Sequence, residues 1–478
     1  MKEHEIDNGN SEFGKNKNSE IALEKVTLKT MISLQVIYFL GNSIGYVFGN
    51  LQYFYTDIVL FPIQLFMISF IIYTIWNMFN DPILGYFCDR STRFTSKWGK
   101  RFIFILIGAF GYCIINMLAF SAPIDALIAP IFAFVWLLII LILEDTSFSL
   151  MDLNWTALVV NKIRDDKKRK NAGLIGVLMG TFGILLGVII PPIIIGAFGD
   201  NKTGWLVQGL IMGSIAIVAV FLMIPSIRES KELREKRIKI DAIQAKEGFF
   251  TIMKTALKLK PLIAYTIVYL GFQITIVVLQ ASIGFWFVHV LGLGFEDSLI
   301  PMALFVLAAP ISAFLWNYLA KKYGSKKIFF LCCISLALAI LPNLWISTYE
   351  LTLLAFFIVG FCVGGQWSLL FPFSADIIDE ATVRTGKRQE GQYEGIIVFF
   401  QRLTYAFQVI IIGSIQLFTG YNPGADIQTS TAILGIHIQM SIVPIIILLL
   451  TTLIFWKWYD ITPERVKHNK EKLIELGL

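Results

Sequence analysis

Apolar runs of roughly 20 residues recur along the whole sequence, from IYFLGNSIGYVF near its start to IIILLLTTLIFW near its end. A run of that length crosses a hydrocarbon layer about 30 Å thick as a helix. In lipid every backbone polar group must be satisfied internally, which leaves the helix as the natural spanning form for such segments. Twelve spans are expected, over about 30–54, 61–87, 101–121, 127–158, 172–198, 204–225, 261–288, 298–320, 327–346, 351–378, 394–418 and 434–458. Several exceed 25 residues, so tilt, kinks or extension beyond the bilayer are expected. Composition agrees: 56% of residues are hydrophobic and 15% charged, against about a quarter charged in a soluble domain. The chain reads as an all-α integral membrane protein.

Basic residues orient the spans. Arg90, Arg93, Lys97, Lys100 and Arg101 follow span two, and Lys162, Arg164, Lys167, Lys168, Arg169 and Lys170 follow span four. Lys321, Lys322, Lys326 and Lys327, then Arg384, Lys387 and Arg388, mark the loops after spans eight and ten. The alternate loops carry Lys202 and almost nothing else. The positive-inside rule puts both termini in the cytoplasm, and a multi-pass protein of the plasma membrane is expected. These loops account for the net charge of +6, so no nucleic-acid partner is called for. Residues 1–28 are polar with no apolar core, a cytoplasmic tail and no signal peptide. Residues 226–260 read as a charged cytoplasmic linker. Cys88, Cys113, Cys332, Cys333 and Cys362 fall in or beside apolar spans, with neither a disulfide framework nor metal-ligand spacing.

The two halves resemble each other. Lys97-Trp98-Gly99-Lys100-Arg101 after span two matches Lys322-Tyr323-Gly324-Ser325-Lys326-Lys327 after span eight. Spans four and ten both end with acidic residues, Asp152 and then Asp376, Asp379 and Glu380, before basic loops. Six spans, a linker and six more as parallel repeats is the architecture of a major-facilitator carrier. The expected division is a tail at 1–28, a six-helix bundle at 29–225, a linker at 226–260, a second bundle at 261–458 and a tail at 459–478.

Some spans carry polar groups that lipid does not tolerate. Asn77 and Asp81 stack one turn apart on span two. Asp145 and Asp152 lie two turns apart on span four, with Glu144 beside them, and Arg402 interrupts the apolar run IIVFFQRLTYAF of span eleven. A carboxylate at this depth costs at least about 2.5–3.5 kcal/mol and so faces a bundle interior or wet cavity with a partner. Asp81 could instead simply tie helices together, but the number of such groups points to a polar cavity between the halves. Asp81 and Asp152 are the expected partners of Arg402.

Asn80-Asp81-Pro82-x-x-Gly85, then Asp89-Arg90 and Lys97-Trp98-Gly99-Lys100-Arg101, resembles the span-two signature of the glycoside–pentoside–hexuronide:cation symporters, the melibiose permease family. Phe54-Tyr55-Thr56-Asp57 resembles that family's end to span one. Ala375-Asp376-Ile377-Ile378-Asp379 with Thr385-Gly386-Lys387-Arg388-Gln389-Glu390-Gly391 resembles its span-ten signature. The resemblance implies a cation-coupled sugar carrier working by alternating access. It places a coupling cation, Na⁺ or H⁺, at Asn77 and Asp81, with Asp152 linking cation and sugar and Arg402 facing the carboxylates. By the same resemblance Asn42, Asp152, Trp367 and Arg402 serve the sugar, and Asp89, Arg90, Asp376, Asp379 and Arg388 close a cytoplasmic gate; Trp155, beside Asp152 and Asn154, is a further candidate to stack on the sugar.

Three departures shape the expectation. Asn77 replaces an acidic cation ligand, Val177 stands where the melibiose permease has a sugar-binding arginine, and Asn42 lies near a position where it has an aspartate. Melibiose itself is therefore not the expected substrate. Trp155 and Trp367, beside polar intramembrane residues, are expected in the cavity, Trp286 at lipid or the interface. His289 and His437 are placed near the outer surface, and no histidine proton relay is expected. No HExxH, GxSxG or CxxC marks an enzyme. The expectation is a monomeric symporter of a sugar or glycoside with no cofactor. A lysolipid or other amphiphile carrier of the same family, or an uncoupled sugar facilitator, is the alternative.

Overall fold

The computed structural model describes residues 27–90, 99, 101–122, 125–163, 166–228, 253–254, 257–386, 390–425 and 427–475. Among these residues the regular structure is entirely helical. Twelve helices are long and apolar enough to span a membrane. They are α1 (Leu28–Ile58), α2 (Ile63–Cys88), α3 (Phe102–Ala119), α4 (Pro130–Val159), α5 (Asn171–Phe198) and α6 (Lys202–Ile227), then α7 (Lys260–Ala281), α8 (Phe295–Tyr323), α9 (Ser325–Leu344), α10 (Tyr349–Thr385), α11 (Tyr393–Thr419) and α12 (Ser430–Trp458). A polar helix, α13 (Pro463–Glu475), follows. Ile128, Phe314 and Phe418 stand almost fully exposed around the outside, as side chains facing lipid do and those of a soluble surface rarely do in such number.

The helices pack in two sets of six with the same plan. In the first half α1 packs on α5 and α6, α2 on α4, α3 on α4 and α6, and α5 on α6. In the second, α7 packs on α11 and α12, α8 on α10, α9 on α10 and α12, and α11 on α12. The halves meet where α2 packs on α11 and α5 on α8, two contacts that correspond under the same repeat. Gly99 and Gly324 turn the chain at φ 95° and 94°, so these two matched residues share a backbone conformation that favours glycine.

The repeat is most literal at the ends of α1 and α7. Helix α1 finishes in one π turn, Phe54–Ile58, and the short segment from Ile283 that continues α7 finishes in another, Trp286–Val290. Val59 N–H donates to Phe54 O at 2.9 Å, and Leu291 N–H to Trp286 O at 3.1 Å. One step on, Leu60 and Gly292 take φ of 61° and 64°, and Phe61 and Leu293 donate back to Tyr55 and Phe287 at 2.8 and 3.0 Å.

Span boundaries differ from the expected ones by up to seven residues. The π turn carries α1 to Ile58, and α8 takes in the short 3₁₀ turn from Phe295. Helix α10 runs to Thr385, past the apolar stretch, because the carboxylate of Glu380 is matched by cations there, and Gly386 ends it at φ 66°. Residues 1–26, 229–252 and 255–256 of the expected tail and linker lie outside the described residues.

Candidate functional site

Asn80 and Asp81 of α2 meet α4 and α11, with Asn77 one turn before Asp81. Asn77 Nδ2 donates to the hydroxyl of Tyr73, one turn earlier, at 3.0 Å. Asn80 Nδ2 donates to Asp145 Oδ2 at 2.9 Å. Asp81 Oδ2 accepts from Arg402 Nη2 at 2.7 Å, and Arg402 Nη1 reaches Asp145 Oδ1 at 3.4 Å. One guanidinium from the second half therefore bridges two carboxylates on two helices of the first, a use of the planar fork that a lysine could not copy. Trp76 Nε1 donates to Thr146 at 3.2 Å and fastens α2 to α4 beside the cluster. Pro82 follows Asp81 inside the helix; lacking an N–H, it leaves one carbonyl of the preceding turn without its helical donor.

The partner expected at Asp152 is thus Asp145, two turns away on the same stripe. Asp152 is partly buried and within electrostatic reach of Arg402, but the guanidinium spends both its amino groups on Asp81 and Asp145. Spacing alone could not separate two aspartates seven residues apart.

These charges border a cavity of about 160 Å³. Glu144, Asp145, Arg402, Tyr73, Tyr112, Tyr405, Phe148, Gln52 and Gln408 give it its polar and aromatic character, and Gly41, Gly45 and Gly49 let it approach the α1 backbone. At ~30 Å³ per water it holds about five waters, below the ~300 Å³ at which small-molecule pockets begin. Gln408 Nε2 donates to Gln52 Oε1 at 2.5 Å across α11 and α1, beside the cavity.

The tryptophans expected to line this space do not. Trp155 is buried against α1, where its indole donates to Leu34 O at 2.7 Å and its ring meets Tyr38 edge-on at 5.3 Å. Its N–H is spent on the helix contact. Trp367 stands half exposed, edge-on to Phe272 and Tyr269 of α7. Aromatic faces in the cavity come instead from Tyr73, Tyr112, Phe148 and Tyr405. Asn42 sits between the cavity-lining Gly41 and Gly45, turned toward Gly180 of α5. Trp286, expected at lipid or the interface, is fully buried, with its N–H 3.4 Å from Thr352 Oγ1.

On the face opposite the chain termini, a second polar cluster joins the halves. His289 Nε2 lies 3.1 Å from Asp57 Oδ1 and 2.7 Å from the Tyr421 hydroxyl, which also donates to Asp57. Both His289 and Asp57 are 4% exposed at their side chains. His289, expected near the outer surface, is buried and paired on that face. Close by, Asp200 accepts from Tyr53 at 2.9 Å and Trp205 at 2.7 Å. Burial holds the Asp200 carboxyl above the usual carboxylate range, and those two donors oppose the shift. The ring of Tyr53 lies where a Cβ on Gly284 would be, at 2.4 Å, so only glycine lets α1 and α7 cross this closely. The sequence held a signal: FYTDI and WFVHV close corresponding spans of the two halves, 232 residues apart, and bring Asp57 and His289 to equivalent positions.

The gate expected on the face of the termini is described only in part. The side chains of Asp89 and Arg90, and Arg388 as a whole, lie outside the described residues. Asp376 and Asp379 are partly buried on α10, within reach of Lys470 and of each other. Beside them Glu380 accepts from Arg384 Nε at 2.6 Å, Arg465 Nη2 at 2.5 Å and Asn469 Nδ2 at 2.8 Å. That cluster docks α13 on α10 within one half.

Comparison with known proteins agrees with this architecture. The MFS/sugar transport protein family matches residues 36–463. The raffinose carrier protein of Pediococcus pentosaceus is 23% identical over 421 residues, covering 84% of this chain; the chain spans 63% of that protein's length. The isoprimeverose transporter of Lactiplantibacillus pentosus is 24% identical, with 90% of this chain and 88% of that protein covered. The sodium-dependent lysophosphatidylcholine symporter 1 of Gallus gallus is 22% identical, covering 90% and 83%. Among solved structures, a D-xylose-proton symporter superposes with a TM-score of 0.62 at 14% identity, over 90% of this chain and 97% of that one, a likeness of fold.

Proposed function

The chain belongs to the MFS/sugar transport protein family, and from that premise we propose that it carries a small sugar or glycoside together with a cation, by alternating access. A single observation carries the coupling: Arg402 of the second half bridges Asp81 and Asp145 of the first beside the central cavity. A charged cross-link between the moving halves must be weakened for them to separate. A cation or a hydroxylated substrate that competes for the carboxylates does that, because it interacts differently with the two states, the requirement for any ligand-driven change.

The cavity chemistry favours a sugar. Carboxylates and amides accept and donate to hydroxyl groups, and tyrosine rings offer apolar faces to pyranose C–H groups. The relatives named for raffinose and isoprimeverose support that class. In this reading residues 29–225 and 261–458 rock as two bodies, both termini are cytoplasmic, and the chain works as a monomer in the plasma membrane. The cluster of Asp57, His289 and Tyr421 then closes the outer side while the cavity awaits the inner one. The gate roles of Asp89, Arg90, Asp376, Asp379 and Arg388, and the sugar roles of Asn42, Asp152 and Trp367, belong to the same proposal.

One observation favours a second reading, an amphiphile carrier. An apolar groove of about 400 Å³ lies between α2 and α11, lined by Met78, Phe79, Pro82, Ile83, Tyr86, Phe87 and Phe399, and one relative is a lysophosphatidylcholine symporter. Counterflow in proteoliposomes separates the two. Labelled α- and β-glycosides and pentosides should exchange against unlabelled sugar, with lysophosphatidylcholine as the opposing arm. Exchange of lipid alone would overturn the sugar reading.

A further inference from the structure

Glu144 is the one cavity carboxylate that Arg402 does not hold. It is 8% exposed, lines the cavity, and makes no hydrogen bond to another described residue. Its neighbour Asp145 has Asn80 and Arg402, and Asp81 has Arg402. Around Glu144 stand Tyr73 from α2, Tyr112 from α3, Asp145 from its own helix, and Arg402 and Tyr405 from α11. The α1 and α7 residues bordering the cavity, such as Gln52 and Val277, bring no titratable group.

Two carboxylates, Glu144 and Asp145, thus line about 160 Å³ with one guanidinium, which is already held by Asp145 and by Asp81, and a buried ionised carboxylate without its own counter-charge is among the costliest groups a protein interior can hold. We propose that Glu144 binds and carries the coupling proton. A hard metal cation needs several oxygen ligands at once, whereas α2, α3 and α11 offer Glu144 three phenols and the guanidinium of Arg402, which repels a metal ion, and Tyr73 already accepts from Asn77. A proton needs only the one acceptor. The transfer is balanced: hydronium entering the cavity gives its proton to the Glu144 carboxylate, forming an O–H, and water on the other side takes it back after the halves rock. In the protonated state the O–H donates into the cavity, where a sugar hydroxyl would sit.

The inference rests on the coupled-carrier reading, so its test has a readout independent of sugar. Infrared difference spectra of the purified full-length protein across a pH series should show the C=O stretch of a protonated carboxyl that disappears as pH rises. The band should be absent from Glu144→Gln and present but displaced in Glu144→Asp, which keeps an ionisable group if the glutamine variant folds poorly. In proteoliposomes, Glu144→Gln should lose pH-gradient-driven accumulation at least tenfold more than it loses exchange. A band of wild-type size in Glu144→Gln, no such band in the wild type, or full pH-driven accumulation by the variant overturns the assignment. Absence of sugar movement in the wild type overturns the sugar reading alone, and the band still decides where the proton binds.

Discussion

His289 Nε2 lies 3.1 Å from Asp57 Oδ1, and the two residues occupy equivalent places in the repeat, 232 positions apart. The pair joins the halves on the face opposite the termini, each member coming from one of the two π turns. Tyr421 completes the set from the loop after α11.

Removing one member leaves buried polar groups unsatisfied, at about 1–3 kcal/mol. His289→Ala should therefore shift the population toward the state open on that face by roughly tenfold, since 1.4 kcal/mol is a factor of ten. The measurement is the labelling rate of a cysteine at position 408, beneath the lock, by an impermeant maleimide added from that side. An unchanged rate would mean that the cluster is not what holds this face shut.

Arg402→Ala strips the partner from two carboxylates, and breaking a buried pair costs about 3–5 kcal/mol. Thermal unfolding in detergent should drop accordingly. The double variant Arg402→Ala with Asp81→Asn should recover part of the loss, the signature of a direct coupling. Arg402→Lys should keep one bond and lose the bridge, falling between wild type and alanine.

Asp81→Asn should abolish uphill accumulation yet permit exchange, because the amide keeps the shape of the site without its charge. Full accumulation by this variant would remove Asp81 from coupling.

Gly292 takes φ of 64° with open space where a Cβ would sit, so Gly292→Ala isolates backbone strain. It should cost about 1–2 kcal/mol, the penalty of the left-handed conformation for an L-residue. Its counterpart, Leu60, already carries that strain, and Leu60→Gly should relieve it in part while losing side-chain contact with Gly424.

The twelve spans were legible because hydropathy and length act locally, and the bilayer permits few alternatives. The charged residues of the spans were legible for the same reason: Asp81 and Arg402 stand out against an apolar background. Which aspartate meets Arg402 was not legible, since Asp145 and Asp152 share a helix face and the choice depends on how far α11 slides along α4. The tryptophans misled because an indole near polar residues reads the same whether its N–H serves a ligand or, as with Trp155, a backbone carbonyl of α1. His289 was missed because the repeat was aligned on its basic loops, while its most literal match lies in the π turns at the far end of α1 and α7.

Accumulation of whichever sugar counterflow selects, measured in proteoliposomes under a pH gradient, a Na⁺ gradient or neither, tests the central claim most directly. Coupled symport requires uptake above the equilibrium level under one gradient, its collapse when an ionophore dissipates that gradient, and its loss in Asp81→Asn. Uptake that stops at equilibrium under every gradient would contradict coupling and leave a facilitator whose Arg402 bridge is structural.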